Sequence, residues 1–187
     1  MIKYEVIRSE IEENRDLDRS KLFGAPVFPK DFLSKHKLND AYYFAQINLT
    51  ELAVFETSLP KEGMLYFFLL FDEYDIKAKV IYSNEELYEV MDDVNEMFGE
   101  LDFKDALVMN FSESEGSNFI LGEEFDQEVP EAYGKDYFIL LKVDPLNILA
   151  SDFPVFANPD DEIYFVMERS DYEKLNFKKV KLITHGS

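Results

Sequence analysis

Two stretches of the chain carry the same succession of hydrophobic and polar positions. The first sets the apolar run Tyr43-Phe44-Ala45-Gln46-Ile47-Asn48-Leu49 ahead of a linker holding Leu59-Pro60-Lys61-Glu62-Gly63. Met64 to Phe71 follows with almost no polar atom, and then Ile76 to Tyr82, whose lysines alternate with apolar residues. The second sets Tyr137 to Asp144 ahead of a linker ending Asp160-Asp161-Glu162, then Ile163-Tyr164-Phe165-Val166-Met167, then Phe177 to Ile183. Continuous apolar runs of this length predict strands covered on both faces, and the lysine alternation predicts a half-exposed hairpin partner. The shared order predicts an internal duplication, with copies at approximately 43–82 and 137–183 inside one domain spanning 1–187.

Around the copies the pattern is less regular. Ile2, Tyr4 and Val6 alternate with Lys3 and Glu5 and predict an edge strand within Met1 to Ile11; Glu12 to Arg19 reads as loop or turn. Ser20 to Pro29 mixes apolar anchors with Gly24, Pro26 and Pro29, so it predicts an ordered, packed loop. Ser83-Asn84-Glu85-Glu86 has the form of a capping box. Leu87, Val90, Met91, Val94, Met97 and Phe98 then recur at helical spacing up to Gly99, which predicts a capped helix. Asp102 to Asn110 predicts a strand, Ser112 to Asn118 a solvated loop, and Phe119-Ile120-Leu121-Gly122 a short apolar segment before the acidic run Glu123 to Glu131. Residues 83–136 thus read as an acidic helical and loop insert between the copies. Ser170-Asp171-Tyr172-Glu173 predicts one helical turn.

Composition narrows the picture. A chain of 187 residues fits one domain, or two small repeats sharing one core, and buries roughly 70% of its unfolded surface. Apolar residues make up 47% and aromatics 16%, with 18 Phe and 11 Tyr, which suits sheets packed through aromatic faces and argues against disorder. The absence of cysteine excludes disulfides, thiolate nucleophiles, zinc knuckles and iron–sulfur clusters. The N-terminus lacks the apolar core of a signal peptide and no run approaches the length of a membrane span, so the expectation is a soluble, cytoplasmic protein that does not engage membranes. The formal charge is −20, and residues 85–136 hold 17 acidic side chains against only Lys104 and Lys135. Such a field repels phosphate backbones and disfavours nucleic acid; it leaves a basic partner, a cation or simple solubility.

Several segments together resemble the YwqG-like family, mainly bacterial proteins classed as a domain of unknown function. Ser20-Lys21 with Gly24-Ala25-Pro26 and Pro29, Phe44 to Leu49, and Leu59-Pro60 with Gly63 to Phe68 carry the resemblance, followed by Leu121-Gly122, Leu140 to Asp144, and Asp171 with Phe177, Lys179-Val180 and Ile183. It covers the chain from about Ser20 onward. The resemblance implies an α+β fold with a largely antiparallel central sheet, two pseudo-twofold related halves and few helices, and it implies no established reaction. The chain departs from the family pattern at Phe23, where a glycine is usual, at Asn118, where a histidine is usual, at Glu123-Glu124 in place of Tyr-Pro, at Lys142 in place of Gln, and at Thr184-His185 in place of Gln-Cys.

Candidate chemistry is sparse. The two histidines, His36 in a presumed loop and His185 near the end, occupy positions that promise no rigid catalytic geometry, and no nucleotide, hydrolase or calcium-loop motif is present. The sequence therefore names no catalytic residue, no metal site and no cofactor, and leans away from an enzyme. Gln46 and Asn48 end a buried strand in the first copy, and Lys142 and Asp144 take the matching places in the second. These four residues either line a polar ligand pocket or satisfy strand-end backbone groups. Glu89, Asp92, Asp93 and Glu96 would share the outer face of the capped helix, and with Glu123 and Glu124 they form a candidate surface for a basic partner. Two functions follow: a non-catalytic acidic binding module, immunity-like or regulatory, or a small-molecule binder or enzyme with a polar site where the repeats meet.

Overall fold

Aromatic and β-branched runs dictate most of the architecture. The computed structural model describes residues 1–9, 17–73, 75–113, 118–123, 136–146 and 161–186. Among these the chain forms strands β1 (Ile2–Ser9), β2 (Lys21–Leu22), β3 (Val27–Pro29), β4 (Tyr42–Asn48), β5 (Met64–Asp72), β6 (Asp75–Ser83), β7 (Leu87–Val90), β8 (Ala106–Ser112), β9 (Phe119–Gly122), β10 (Tyr137–Val143), β11 (Asp161–Glu168) and β12 (Lys181–Gly186). The helical elements whose bounds are described are α1 (Phe32–His36), α2 (Arg169–Tyr172) and short 3-10 turns. The α+β class implied by the family resemblance is therefore corrected: the fold is mostly antiparallel sheet and closer to all-β.

The chain divides into two compact units, an N-terminal one of Val6–Asn110 and a C-terminal one of Phe111–Ser187 with Met1–Glu5. In the N-terminal unit the strands lie in the order β8-β2-β4-β5-β6, antiparallel throughout. Lys21 faces Val108 on one side and Gln46 on the other, Gln46 faces Tyr66, and Tyr66 faces Ile81. A bulge between Tyr43 and Ala45 interrupts β4. Tyr43, Tyr66, Phe68 and Ile81 are buried together with Phe28 of β3 and Phe32 of α1. The Phe28 and Phe32 rings stack at 5.0 Å, and Phe32 meets Tyr66 at 4.7 Å. Aromatic faces of this kind contribute beyond the area they bury.

In the C-terminal unit the order is β1-β9-β10-β11-β12, again antiparallel where the register is described. Lys3 faces Phe119, Phe119 faces Lys142, Lys142 faces Tyr164 and Tyr164 faces Ile183. Here β10 is interrupted between Ile139 and Leu141. Phe119, Ile139, Tyr164, Val166 and Ile183 form the buried cluster. The row Lys21–Gln46–Tyr66–Ile81 of one unit and the row Phe119–Lys142–Tyr164–Ile183 of the other thus have the same register. Phe23, just after β2, and Leu121, within β9, both adopt a left-handed backbone at φ 55°, and each is followed by glycine.

The helix predicted from Ser83 to Phe98 is corrected as well. Ser83 ends β6, and its hydroxyl accepts from the Glu85 amide, not from that of Glu86. Leu87–Val90 is strand β7, paired antiparallel with β3, and Glu96–Leu101 is a 3-10 turn. Six carboxylates between Glu85 and Glu96 would repel at helical spacing with no lysine among them to offset the repulsion. The extended form instead lets β7 pair with β3, while Leu87, Met91 and Val94 still reach the core. Asn95 then fixes the segment: buried, it accepts from the Tyr43 amide through Oδ1 and donates from Nδ2 to the Tyr43 carbonyl, both at 2.8 Å.

Gly24 is required by both backbone and space. Its φ is +69°, and a Cβ there would lie 2.7 Å from Ala106 Cβ and 2.9 Å from Ala106 Cα. Gly24→Ala is expected to destabilise the protein by about 3 kcal/mol, from left-handed strain plus overpacking against backbone that cannot move aside. A urea midpoint unchanged from wild type would contradict this.

Candidate functional site

Gln46 lies at the middle of a polar cluster built by its strand. Position 46 falls after the β4 bulge, which places its side chain beside Lys21 and Tyr66 in the interior. Its Nε2 donates to the carbonyls of Leu17 (2.9 Å) and Arg19 (2.8 Å). Its Oε1 accepts from the Val27 amide (3.4 Å) and the Tyr43 hydroxyl (3.3 Å). Lys21, also buried, donates from Nζ to the carbonyls of Ala25 (2.7 Å) and Leu17 (3.0 Å), and the Tyr66 hydroxyl donates to the Val27 carbonyl (2.8 Å). Burial holds the Tyr43 and Tyr66 phenols above their ordinary range, so both stay protonated and act as donors. The cluster secures the segment 17–27 to the sheet, and each polar atom of the Gln46 amide is engaged within the chain.

Asn48, at the end of the same strand, borders an open cleft of about 320 Å³ lined by Thr50, Glu62, Gly63, Met64 and residues 84–87 as well. Asn48 Oδ1 accepts from the Thr50 amide (3.0 Å), its Nδ2 donates to the Asp18 carbonyl (3.0 Å), and its backbone amide donates to Ser20 Oγ (2.9 Å). The charged groups lining the cleft are Glu62, Glu85 and Glu86, of which Glu85 pairs with Lys35. The lining contains no histidine and no nucleophile–base pair. Its chemistry suits a cationic group.

Lys142 and Asp144 belong to the C-terminal unit. Lys142 Nζ pairs with Glu162 Oε1 at 2.5 Å and lies over the rings of Tyr164 (5.5 Å) and Phe119 (5.9 Å). Glu162 also accepts from the Tyr164 hydroxyl. The Lys142 carbonyl accepts from the Tyr4 hydroxyl at 2.8 Å, and burial raises that phenol well above its ordinary range. Asp144 Oδ1 accepts from the Leu146 amide (3.1 Å), and its own amide donates to Asn118 Oδ1 (2.7 Å). Asn48 and Asp144 therefore make the same two kinds of local bond in their respective units. Gln46 and Asn48 lie in the N-terminal unit, and Lys142 and Asp144 in the C-terminal one.

Glu162 and Asn95 are the functional groups that sequence reasoning missed. Glu162 closes the run Asp160-Asp161-Glu162 read as linker, although its place two residues before Tyr164 puts it on the same face of the strand as that partner of Lys142. Asn95 carried no signal at all within the predicted helix. Of the histidines, His185 faces Glu162 across β11 and β12. His36 packs its ring 4.6 Å from Phe32; burial, then Lys35 and Lys79, lower its pKa, with Glu85 opposing.

The acidic candidates separate. Glu89 lies on β7, Asp92 and Asp93 in the turn after it and Glu96 at the start of the 3-10 turn, all exposed along one segment of the N-terminal unit. Glu123 belongs to the C-terminal unit, where it pairs with Arg169 at 2.6 Å. Glu124 lies outside the described residues.

Among the described residues no group of three or more His, Asp or Glu is placed to hold a metal ion, and no helix is long and apolar enough to cross a membrane. No curated protein matches the sequence. A family profile does match, over residues 20–137, a span that runs from the Ser20 anchor of the polar cluster through the cleft and the acidic segment to the first residue of β10. The chain belongs to that family, a domain of unknown function (DUF1963).

Proposed function

We propose that the protein is a non-catalytic binding module that holds a basic protein surface through the segment from Glu85 to Glu96. The supporting observation is the exposure of Glu85, Glu86, Glu89, Asp92, Asp93 and Glu96 on one short stretch, interleaved with exposed Tyr88 and Val90. Carboxylates alone make a solvated surface; carboxylates around exposed apolar side chains make a surface that gains by being covered. Only Glu85 among the six has an ion-pair partner among the described residues. The cleft beside Asn48 favours a second reading, a small cationic ligand, and its three glutamates extend the same acidic field.

The test is capture from native cytoplasm on immobilised protein at low and high ionic strength, beside a variant carrying Glu89→Gln, Asp92→Asn, Asp93→Asn and Glu96→Gln. Glu123→Gln serves as control. One stoichiometric basic protein is expected from wild type, lost at high salt, and reduced at least about ten-fold by the quadruple variant. Equal recovery by wild type and quadruple variant at low salt would remove the acidic segment from consideration.

The shared register of the two units supports a further proposal, that they are copies of one five-stranded element within a single domain. On that reading Gln46 corresponds to Lys142 and Asn48 to Asp144.

A further inference from the structure

Strand β7 is hydrogen-bonded to a neighbouring strand on one side only among the described residues, in a ribbon of two strands with β3. The direction of its free edge follows from register. Val27 faces Val90, and Phe28 faces Glu89. The Met91 amide donates to the Pro26 carbonyl at 3.0 Å, which makes position 91 a bonded one and position 90 the alternate. Val27 confirms the alternation from the other side, since its amide goes to Gln46 and its carbonyl takes the Tyr66 hydroxyl. The backbone amide and carbonyl of Val90 are therefore directed away from β3, outward. The side chains along this edge are open, Tyr88 at 69% and Val90 at 45% exposure.

A free edge is an invitation to another strand, which natural sheets commonly discourage with lysine, proline or a bulge. This edge carries a bulge at Tyr88, where consecutive Phe28 and Pro29 face Glu89 and Leu87, and its one charged residue, Glu89, is acidic. We propose that β7 accepts an extended, basic polypeptide segment by strand addition, with the Val90 amide and carbonyl supplying the main-chain bonds. Long cationic side chains of that segment meet Glu86, Glu89, Asp92 and Asp93, and one enters the cleft that begins at Leu87 and is lined by Glu62, Glu85 and Glu86. The occupant is basic by charge complementarity and extended because the groups that remain to be satisfied are those of a strand. Tyr88 already receives one cation, Lys30, whose Nζ lies 5.9 Å from the ring centre. The inference rests on the basic-partner reading and adds the mode of binding.

The test uses a short fluorescein-labelled peptide of alternating lysine and valine, and the same peptide N-methylated on alternate residues so that charge is kept while strand pairing is blocked. Anisotropy is measured at low ionic strength with wild type, Val90→Pro and the Glu89/Asp92/Asp93/Glu96 variant. Proline is tolerated where an edge N–H points outward, so Val90→Pro leaves the β3 ladder intact. Val90→Pro removes the N–H that would donate to the peptide, and N-methylation removes the peptide N–H that the Val90 carbonyl would accept; each predicts weakening by about three- to ten-fold, and the two losses add when combined. Equal binding of both peptides to wild type, with loss only in the acidic variant, overturns strand addition and leaves the basic-partner reading standing. Binding of neither peptide also overturns it, and salt-sensitive capture of a basic protein then decides the broader reading by itself. The N-methyl comparison needs only wild-type protein, so it decides the matter even where Val90→Pro does not fold.

Discussion

Gln46→Leu is expected to destabilise the protein by about 3–5 kcal/mol, one of the largest losses from a single side chain in this fold. Leucine fits the volume and contributes apolar burial, but it strands the groups that the amide now serves. The Leu17 and Arg19 carbonyls lose their Nε2 donor, and the Val27 amide and Tyr43 hydroxyl lose their Oε1 acceptor. Each buried polar group left unmatched costs about 1–3 kcal/mol, and the carbonyls of 17 and 19, being nearer the surface, recover part of this through water. Gln46→Glu is no remedy: it keeps two acceptors and turns a carboxylate toward two carbonyls. The measurement is the urea midpoint of each variant, together with hydrogen exchange at Val27, which should lose protection first because β3 hangs from this amide. A loss below about 1 kcal/mol would mean that the cluster relaxes freely. Gln46 would then return to consideration as a ligand group.

That experiment concerns a residue whose place was legible in the sequence and whose bonds were not. The apolar runs marked β4, β5, β10 and β11 to within a few residues, because buried strands are written as uninterrupted hydrophobic stretches; lysine alternation marked β6, while the strand expected over Phe177 to Ile183 begins only at Lys181, after a 3-10 turn at Phe177–Lys179. They also aligned Gln46 with Lys142, and both face a tyrosine, Tyr66 and Tyr164. The acceptors for Gln46 were invisible for a simple reason: they are main-chain carbonyls of a segment with no regular pattern. The region from Ser83 to Phe98 misled for the opposite reason, since its local signals were strong. Capping residues and a helical period were present, yet Val90 and Tyr88 tolerate a strand, the carboxylates disfavour a charged helix, and Asn95 replaces helical bonds with two bonds to Tyr43. Tertiary partners decided between two locally acceptable states. The α+β expectation failed with that helix.

Lys142 offers the second large effect, and it separates a structural ion pair from a ligand anchor. Its side chain is 11% exposed and that of Glu162 is 22% exposed, so removing either charge leaves the other only partly solvated. Lys142→Met keeps the stem packed against Phe119 and Tyr164 and removes the ammonium. The expected cost is about 2–4 kcal/mol, somewhat below that of a fully buried pair because Glu162 retains some water. Glu162→Gln alone should cost less, about 1–2 kcal/mol, since its amide oxygen still accepts from Tyr164 and the two rings continue to hold the ammonium. The double variant should recover to within about 1 kcal/mol of wild type, because a neutral pair no longer has a charge to desolvate. A coupling energy above about 1.5 kcal/mol from this cycle identifies the pair as an internal clamp joining β10 to β11. A coupling near zero would show that Glu162 does not neutralise Lys142, and an ammonium held between two aromatic rings without a committed counter-charge would be available to an anionic ligand.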